Sequence, residues 1–163
     1  TPFSGKKKKT TENFFGVSVK FLLGEPQNNN QMIELPILGE VSAGYGKYAD
    51  NEIIGTQYVP LNWLSGNEPH VLLRVKGDSM IPKFEEGDLA LVRCQESVDS
   101  GSYAVALIDG DNGVIKRVVY GSNWIELQSL NHMYSPRRFE DEDVTRVRIF
   151  GLVRKIIKDT DTH

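Results

Sequence analysis

Residues 75–92, VKGDSMIPKFEEGDLALV, carry the strongest signal in this sequence. A strand-like run ends at a glycine-bearing turn, and a second strand-like run starts at Gly87-Asp88. A serine in such a turn, Ser79, can project its hydroxyl while neighbouring backbone N–H groups converge beside it. This placement suits a nucleophile with an oxyanion hole, although the pair Asp78-Ser79 taken alone is more often a plain turn.

A serine nucleophile needs a base, and no histidine pattern supplies one. The candidate base is Lys116, which lies between Val114 and Val118 on one face of the strand-like run 113–120. Burial among such neighbours disfavours the ammonium form, so that a neutral amine can take the serine proton. Both faces of this run carry apolar residues, so periodicity leaves open which face points inward, and a lone strand lysine is ordinarily exposed.

Short apolar runs separated by Gly, Pro, Asp and Asn continue through the chain from about Leu35. They leave no room for crossover helices, and residues 109–113 (DGDNG) predict a hairpin loop. We therefore predict a mostly β domain. Its predicted strands are Leu35–Val41, Ile53–Val59, His70–Lys76, Asp88–Cys94, Ser102–Ile108, Gly113–Tyr120, Trp124–Leu130 and Val147–Ile157.

Composition excludes several classes of protein. The 163 residues carry 19 basic and 22 acidic side chains, a net charge of −3, which disfavours a body that grips nucleic acid over its whole surface. The single cysteine, Cys94, excludes an internal disulfide framework and favours a reducing compartment. No apolar run approaches the roughly 18 residues of a membrane span. We expect a cytoplasmic protein with no membrane partner.

Most cofactor and metal chemistry lacks a motif here. The three histidines, His70, His132 and His163, are far apart, and no Cys/His cluster has zinc-site spacing. There is no phosphate-cradling loop and no dinucleotide fingerprint. The acidic run 140–143 (EDED) could attract a cation, but a solvated loop is the simpler interpretation. We expect neither a metal nor a cofactor.

Three separated motifs combine in this chain: residues 77–80 (GDSM), residues 86–89 (EGDL) followed by Val92, and residues 115–118 (IKRV). Together they resemble the LexA-like self-cleaving proteins, which use a Ser-Lys dyad. The separation of 37 positions between Ser79 and Lys116 also fits that family. Residues 41–45 (VSAGY) resemble its self-cleavage segment, and residues 149–153 (IFGLV) resemble its last strand. The resemblance covers residues 36–158.

The resemblance implies a LexA-like C-terminal catalytic and dimerisation domain, mostly β, that forms a homodimer. It implies that Ser79 and Lys116 form the catalytic dyad and that the scissile bond joins Ala43 to Gly44. Both residues at that bond are small, which lets the segment enter its own active site. The family cuts slowly until the RecA–single-stranded DNA filament favours the docked loop, which is a population shift.

The amino-terminal residues suggest a branch of the family. Residues 1–25 resemble the remnant of a helix-turn-helix domain of a temperate-phage repressor, residues 26–34 are a predicted linker, and residues 35–163 are the self-cleavage and dimerisation domain. Residues 1–13 are too short for the rest of a DNA-binding domain, so we expect operator DNA to be bound only through a fuller one. Alternatives are a non-cleaving dimerisation module controlled by an antirepressor protein, a UmuD-like polymerase accessory protein and, disfavoured by the missing membrane span, a signal peptidase.

Overall fold

A mixed β-sheet forms the body of the described part of the protein. The computed structural model describes residues 31–41 and 52–159. Within them, the sheet has nine strands, and the irregular connections contain two short 3₁₀ helices, Leu61–Trp63 and Asp141–Arg146. The strands are β1 Met32–Leu38, β2 Ile53–Pro60, β3 His70–Arg74, β4 Leu89–Cys94, β5 Ser102–Ile108, β6 Val114–Tyr120, β7 Trp124–Gln128, β8 Arg137–Glu140 and β9 Val147–Ile157.

The strand order across the sheet is β2-β1-β3-β4-β9-β5-β6-β7-β8. Among the described strands, only β1 and β3 pair in parallel, with Ile37 opposite Leu72, and every other neighbouring pair is antiparallel. Placing β9 between β4 and β5 joins the first and second halves of the chain. The sheet is therefore continuous from β3 and β4, whose connection contains Ser79, to the β5–β6 hairpin, which contains Lys116.

The predicted fold class is confirmed, and each of the eight predicted strands overlaps an observed one. The predicted hairpin loop 109–113 lies between β5 and β6, where Asp109 and Gly110 adopt positive φ angles of 55° and 80°. Several boundaries differ by one to three residues, and β1 differs most, because it begins at Met32, inside the segment predicted as linker, and ends at Leu38. Pairing with β2, which puts Met32 opposite Pro60, extends this strand beyond its apolar stretch.

Strand β8 was not predicted from the sequence. Three of its four residues are charged or exposed, and only Phe139 is buried, so no apolar alternation announces it. Pairing with β7 and burial of Phe139 against Ile125 and Leu127 hold it in place. The acidic run 140–143 is exposed, as expected, but it ends β8 and opens a 3₁₀ helix instead of forming a plain loop.

The described residues contain no helix long and apolar enough to cross a membrane. Their buried side chains form three clusters, of which the largest packs beside the β3–β4 connection and the β5–β6 hairpin. That cluster includes Val41, Met80, Phe84, Val105 and Ile115. It fixes the relative positions of the elements that carry Ser79 and Lys116.

Candidate active site

Ser79 lies in the connection between β3 and β4, and this connection is closed at its base. The N–H of Val75 donates to the carbonyl of Asp88 at 2.8 Å, and the N–H of Gly87 donates to the carbonyl of Val75 at 3.0 Å. Gly87 has a φ of +95°, a conformation that glycine adopts without strain. The connection is therefore a closed loop with a fixed base.

Two buried side chains hold this loop against the core. Met80 and Phe84 are 3% and 1% exposed, and the N–H of Phe84 donates to the carbonyl of Met80 at 2.9 Å in a single helical turn. The ring of Phe84 also packs edge-on against Tyr103 of β5, with ring centroids 5.6 Å apart. Ser79 precedes this anchored turn, so its backbone position is set by packing on the next residue.

Lys116, from the middle of β6, reaches Ser79. Its Nζ lies 2.6 Å from the serine Oγ and donates a hydrogen bond to it. The structure thus brings together the two residues that the sequence predicted as nucleophile and base. The contact is partly buried, and it joins residues that are 37 positions apart in the chain.

Lys116 is half-buried and forms an ion pair with none of the described carboxylates. Burial lowers the pKa of Lys116 from its ordinary value, since water stabilises the ammonium better than the protein interior does. Among the ion pairs of residues 31–41 and 52–159, none includes this lysine. Its environment therefore shifts the equilibrium toward the neutral amine, the form that can accept the proton of a hydroxyl.

The sequence left open which face of β6 points inward, and in the structure both faces of this strand carry buried residues. Ile115 packs in the large cluster with Val105, whereas Val118 is fully buried in a second cluster with Ala104 and Ala106. A strand covered on both faces desolvates its central side chains. This explains why Lys116 is half-buried although a lone strand lysine is ordinarily exposed.

A cleft of about 140 Å³ opens beside Ser79. Its walls come from Gly39 and Glu40 after β1, from the end of β3 and the serine loop, and from the start of β6. The next residue, Val41, is fully buried, and its carbonyl accepts a hydrogen bond from the N–H of Gly113 at 2.6 Å. The chain that leads to the predicted cleavage segment is thus fixed at the cleft. Ala43 and Gly44 themselves lie outside the described residues.

The loop between β7 and β8 covers the backbone of the serine loop, a contact that sequence reasoning missed. Asn131 donates from its backbone N–H to the carbonyl of Ser79 and from Nδ2 to the carbonyl of Asp78, both at 2.9 Å. The hydroxyl of Tyr134 donates to Asp78 Oδ1 at 2.5 Å. No local pattern in this polar loop signals these contacts, which link positions more than fifty residues apart.

A buried carboxylate fastens the other end of the serine loop. Asp88 accepts hydrogen bonds from the N–H of Glu85, from Lys158 Nζ at 2.7 Å and from the N–H of Asp159. Burial acts to raise the pKa of Asp88, but these hydrogen bonds outweigh it and leave the pKa below the ordinary value. The carboxylate therefore stays charged and ties the serine loop to the end of β9.

Neither of the two described histidines, His70 and His132, hydrogen-bonds to the side chain of Ser79 or Lys116. His70 is 1% exposed, its Nδ1 lies 3.0 Å from the carbonyl oxygen of Glu68, and burial lowers its pKa to about 4. His132 is exposed, and His163 lies outside the described residues. In the described part of the chain, no three His, Cys, Asp or Glu side chains are grouped to hold a metal ion.

Comparison with known proteins gives consistent similarities. The family described as "Peptidase S24-like" matches residues 36–154. The chain is 33% identical over 132 residues to a LexA repressor of Ruegeria sp. (strain TM1040), covering 80% of this chain and 55% of that protein. It is 37% identical over 130 residues to the LexA repressor of Desulforamulus reducens, covering 79% of this chain and 59% of that protein. It is 33% identical over 136 residues to the LexA repressor of Clostridium novyi (strain NT), covering 82% of this chain and 66% of that protein. The chain thus spans a little over half to two thirds of the length of these relatives.

Proposed function

Because the chain belongs to the Peptidase S24-like family of LexA-like self-cleaving repressors, we propose that it is the part of a transcriptional repressor that dimerises and cuts its own backbone. The cut bond is Ala43–Gly44, and Ser79 and Lys116 are the catalytic dyad. The observation that carries the proposal is the contact of 2.6 Å between Lys116 Nζ and Ser79 Oγ, at a lysine whose burial lowers its pKa.

The first half of the reaction forms an ester. Neutral Lys116 accepts the proton of the Ser79 hydroxyl, and the serine oxygen attacks the carbonyl carbon of Ala43. The resulting tetrahedral intermediate collapses, and the bond between the Ala43 carbonyl carbon and the Gly44 nitrogen breaks. The Lys116 ammonium then gives its proton to the departing amine of Gly44. The products are a free amino terminus at Gly44 and an ester between Ala43 and Ser79.

The second half releases the serine. A water molecule gives a proton to Lys116 while its oxygen attacks the ester carbonyl of Ala43. Collapse of this second intermediate returns the proton to the Ser79 oxygen and leaves a carboxylic acid at Ala43. The dyad is restored, although the chain that carries it has been cut.

The N–H groups of Ser79 and Met80 are suited to hold the negative oxygen of both intermediates. Other N–H groups of the serine loop are used in hydrogen bonds within it, namely those of Val75, Ile81, Phe84, Glu85, Gly87 and Asp88. The N–H groups of Ser79 and Met80 donate to none of the described acceptors. Preorganised donors of this kind stabilise the developing charge without reorganisation. These two N–H groups would supply the stabilisation of the oxyanion that Ser79 Oγ and Lys116 Nζ do not provide.

The anchored position of Val41 supports the proposed bond. Ala43 is two residues after Val41, and two Cα–Cα steps span at most about 7.6 Å. Val41 is held against Gly113, which also lines the cleft beside Ser79. A segment that starts there needs no large movement of the body to reach the serine, which supports cleavage within one chain.

The proposal extends to partners. Membership of the family implies three interactions: dimerisation through the described domain, induction by a RecA–single-stranded DNA filament, and operator binding through a fuller helix-turn-helix domain. The temperate-phage branch rests on residues 14–25 alone, which lie outside the described residues, as do the rest of the proposed domain remnant 1–25 and most of the linker. The relatives compared above carry the name LexA repressor.

The proposal is tested by following loss of the intact chain at alkaline pH over a range of protein concentrations. We expect a first-order rate constant that does not change with concentration, because the serine attacks its own chain. A rate proportional to concentration would contradict cleavage within one chain. Loss at the same rate in Ser79→Ala would contradict the dyad.

A second experiment distinguishes the inducing partner. At neutral pH, we expect added RecA filament to raise the rate constant, and sedimentation equilibrium to show a dimer of the unaltered chain. A chain that dimerises but stays intact under both conditions would instead be a dimerisation module controlled by an antirepressor protein.

A further inference from the structure

We propose that Asn131 is a positioning residue that orients the two N–H groups of the oxyanion hole. This inference rests on the function proposed above and adds to it a residue outside the dyad and outside the cleavage segment. It is carried by the two hydrogen bonds that Asn131 donates to consecutive carbonyls of the serine loop.

The geometry of the peptide group makes the link between those carbonyls and the oxyanion hole. The carbonyl of Asp78 belongs to the same peptide plane as the N–H of Ser79, and the carbonyl of Ser79 shares its plane with the N–H of Met80. In a trans peptide the carbonyl and the N–H point in opposite directions. Fixing the two carbonyls on Asn131 therefore aims both N–H groups away from the β7–β8 loop.

Asn131 is itself held in the required orientation. The N–H of Met133 donates to Asn131 Oδ1 at 2.9 Å, which leaves Nδ2, the amide's only donor group, facing the carbonyl of Asp78. The N–H of Tyr134 donates to the backbone carbonyl of Asn131 at 3.1 Å. Each polar group of Asn131 is thus used, either on the serine loop or within its own turn.

Tyr134, which lies in the same β7–β8 loop as Asn131, also contacts Asp78. The Tyr134 hydroxyl donates to the carboxylate of Asp78, and this hydrogen bond raises the pKa of Tyr134. Asp78 is therefore held through its backbone by Asn131 and through its side chain by Tyr134. Two independent bonds to the residue before the nucleophile are more than loop closure requires.

The experiment compares the first-order cleavage rate of the full chain across a pH series for the unaltered protein, Asn131→Ala, Asn131→Asp and Asn123→Ala. Asn131→Asp keeps the acceptor for Met133 but has no N–H to offer Asp78. Asn123→Ala is the matched control, because Asn123 makes one side-chain hydrogen bond of 2.9 Å, to Asp141, away from the serine loop. Thermal unfolding of each variant monitors folding.

We expect both Asn131 variants to lower the plateau rate at high pH by about tenfold, less than direct loss of an oxyanion donor. The pH at half-maximal rate should stay unchanged in Asn131→Ala, because Lys116 sets it. Asn123→Ala should cleave as the unaltered chain does. Should Asn131→Ala fail to fold, Asn131→Asp carries the comparison, since it retains the bond to Met133.

Plateau rates in both Asn131 variants equal to that of the unaltered chain would overturn this inference and leave the dyad standing. A shifted midpoint in Asn131→Ala with an unchanged plateau would also overturn it, because Asn131 would then act on Lys116. If the unaltered chain stays as intact as Ser79→Ala at every pH, the proposed function itself fails, and this inference fails with it.

Discussion

Lys116 Nζ lies 2.6 Å from Ser79 Oγ, and no carboxylate of the described residues pairs with that lysine. A surface lysine would be solvated or paired with an acid, and either state favours the ammonium. Here burial acts alone and lowers the pKa. In the proposed reaction the same burial, which destabilises the ammonium form of Lys116, prepares the amine to serve as a base, so that the proposed cleavage should depend on pH.

The first prediction concerns that pH dependence. The cleavage rate should rise with pH and reach half its plateau at the folded pKa of Lys116, below the ordinary lysine value of 10.5. A pH–rate series on the unaltered chain measures it. A rate that falls as pH rises, or that shows no change between neutral pH and pH 10.5, would be inconsistent with a lysine base.

The second prediction concerns the identity of the base. Lys116→Ala should lower the cleavage rate by about 10²–10⁴-fold, the usual contribution of a general base. Lys116→Arg should be equally inactive, because a guanidinium stays protonated. The control is Lys155→Ala, since Lys155 lies on the exposed surface of β9 over the ring of Trp63. Cleavage by Lys116→Arg at the unaltered rate would eliminate this lysine as the base.

The third prediction uses the close approach of Gly113 to Val41. A Cβ at Gly113 would lie 2.9 Å from Val105 Cγ1 and 3.1 Å from Val41 Cβ. Gly113→Ala should therefore cost about 1–3 kcal/mol of unfolding free energy through overpacking, and should slow cleavage by displacing Val41. Denaturant unfolding and the cleavage time course measure the two effects.

Gly55→Ala provides the matched control for that variant, because its Cβ would meet only Ile37 Cδ1, at an ordinary contact distance of 3.8 Å. We expect it to cleave at the unaltered rate. If Gly113→Ala also cleaves at the unaltered rate, the contact between Val41 and Gly113 does not position the cleavage segment.

The fourth prediction concerns the buried carboxylate of Asp88. Asp88→Ala should lower the unfolding free energy by about 2–3 kcal/mol at neutral pH, since hydrogen bonds to a charged group are lost. The folded pKa of Asp88 is below the ordinary value of 3.8. Its stabilisation is therefore complete above the unfolded pKa and disappears as pH falls through the folded pKa.

Unfolding curves of the unaltered chain and Asp88→Ala across an acid pH series measure that difference. The two stabilities should converge as the pH falls below 3.8. If the difference in unfolding free energy stays constant down to acid pH, the charge of the Asp88 carboxylate contributes nothing and only the packing of the side chain does.

Local pattern predicted part of this structure. The apolar runs and turn residues predicted the mostly β body and the elements that carry Ser79 and Lys116. They left open which face of β6 points inward, and the pairing of the two residues was predicted from the family resemblance. The position of Asn131 could not be predicted, because its bonds depend on how the β7–β8 loop folds over residues 53 positions earlier. Strand β8 was missed for a related reason, since pairing with β7 and one buried phenylalanine hold it.

The measurement that tests the central claim most directly is the intact mass of the chain after incubation at alkaline pH, beside Ser79→Ala and Gly44→Glu. We predict two fragments in the unaltered chain, residues 1–43 and residues 44–163, and none in either variant, because one lacks the nucleophile and the other carries a bulky charge at the scissile bond. An unaltered chain that stays whole, or fragments cut at another bond, would contradict the assignment of Ser79, Lys116 and Ala43–Gly44.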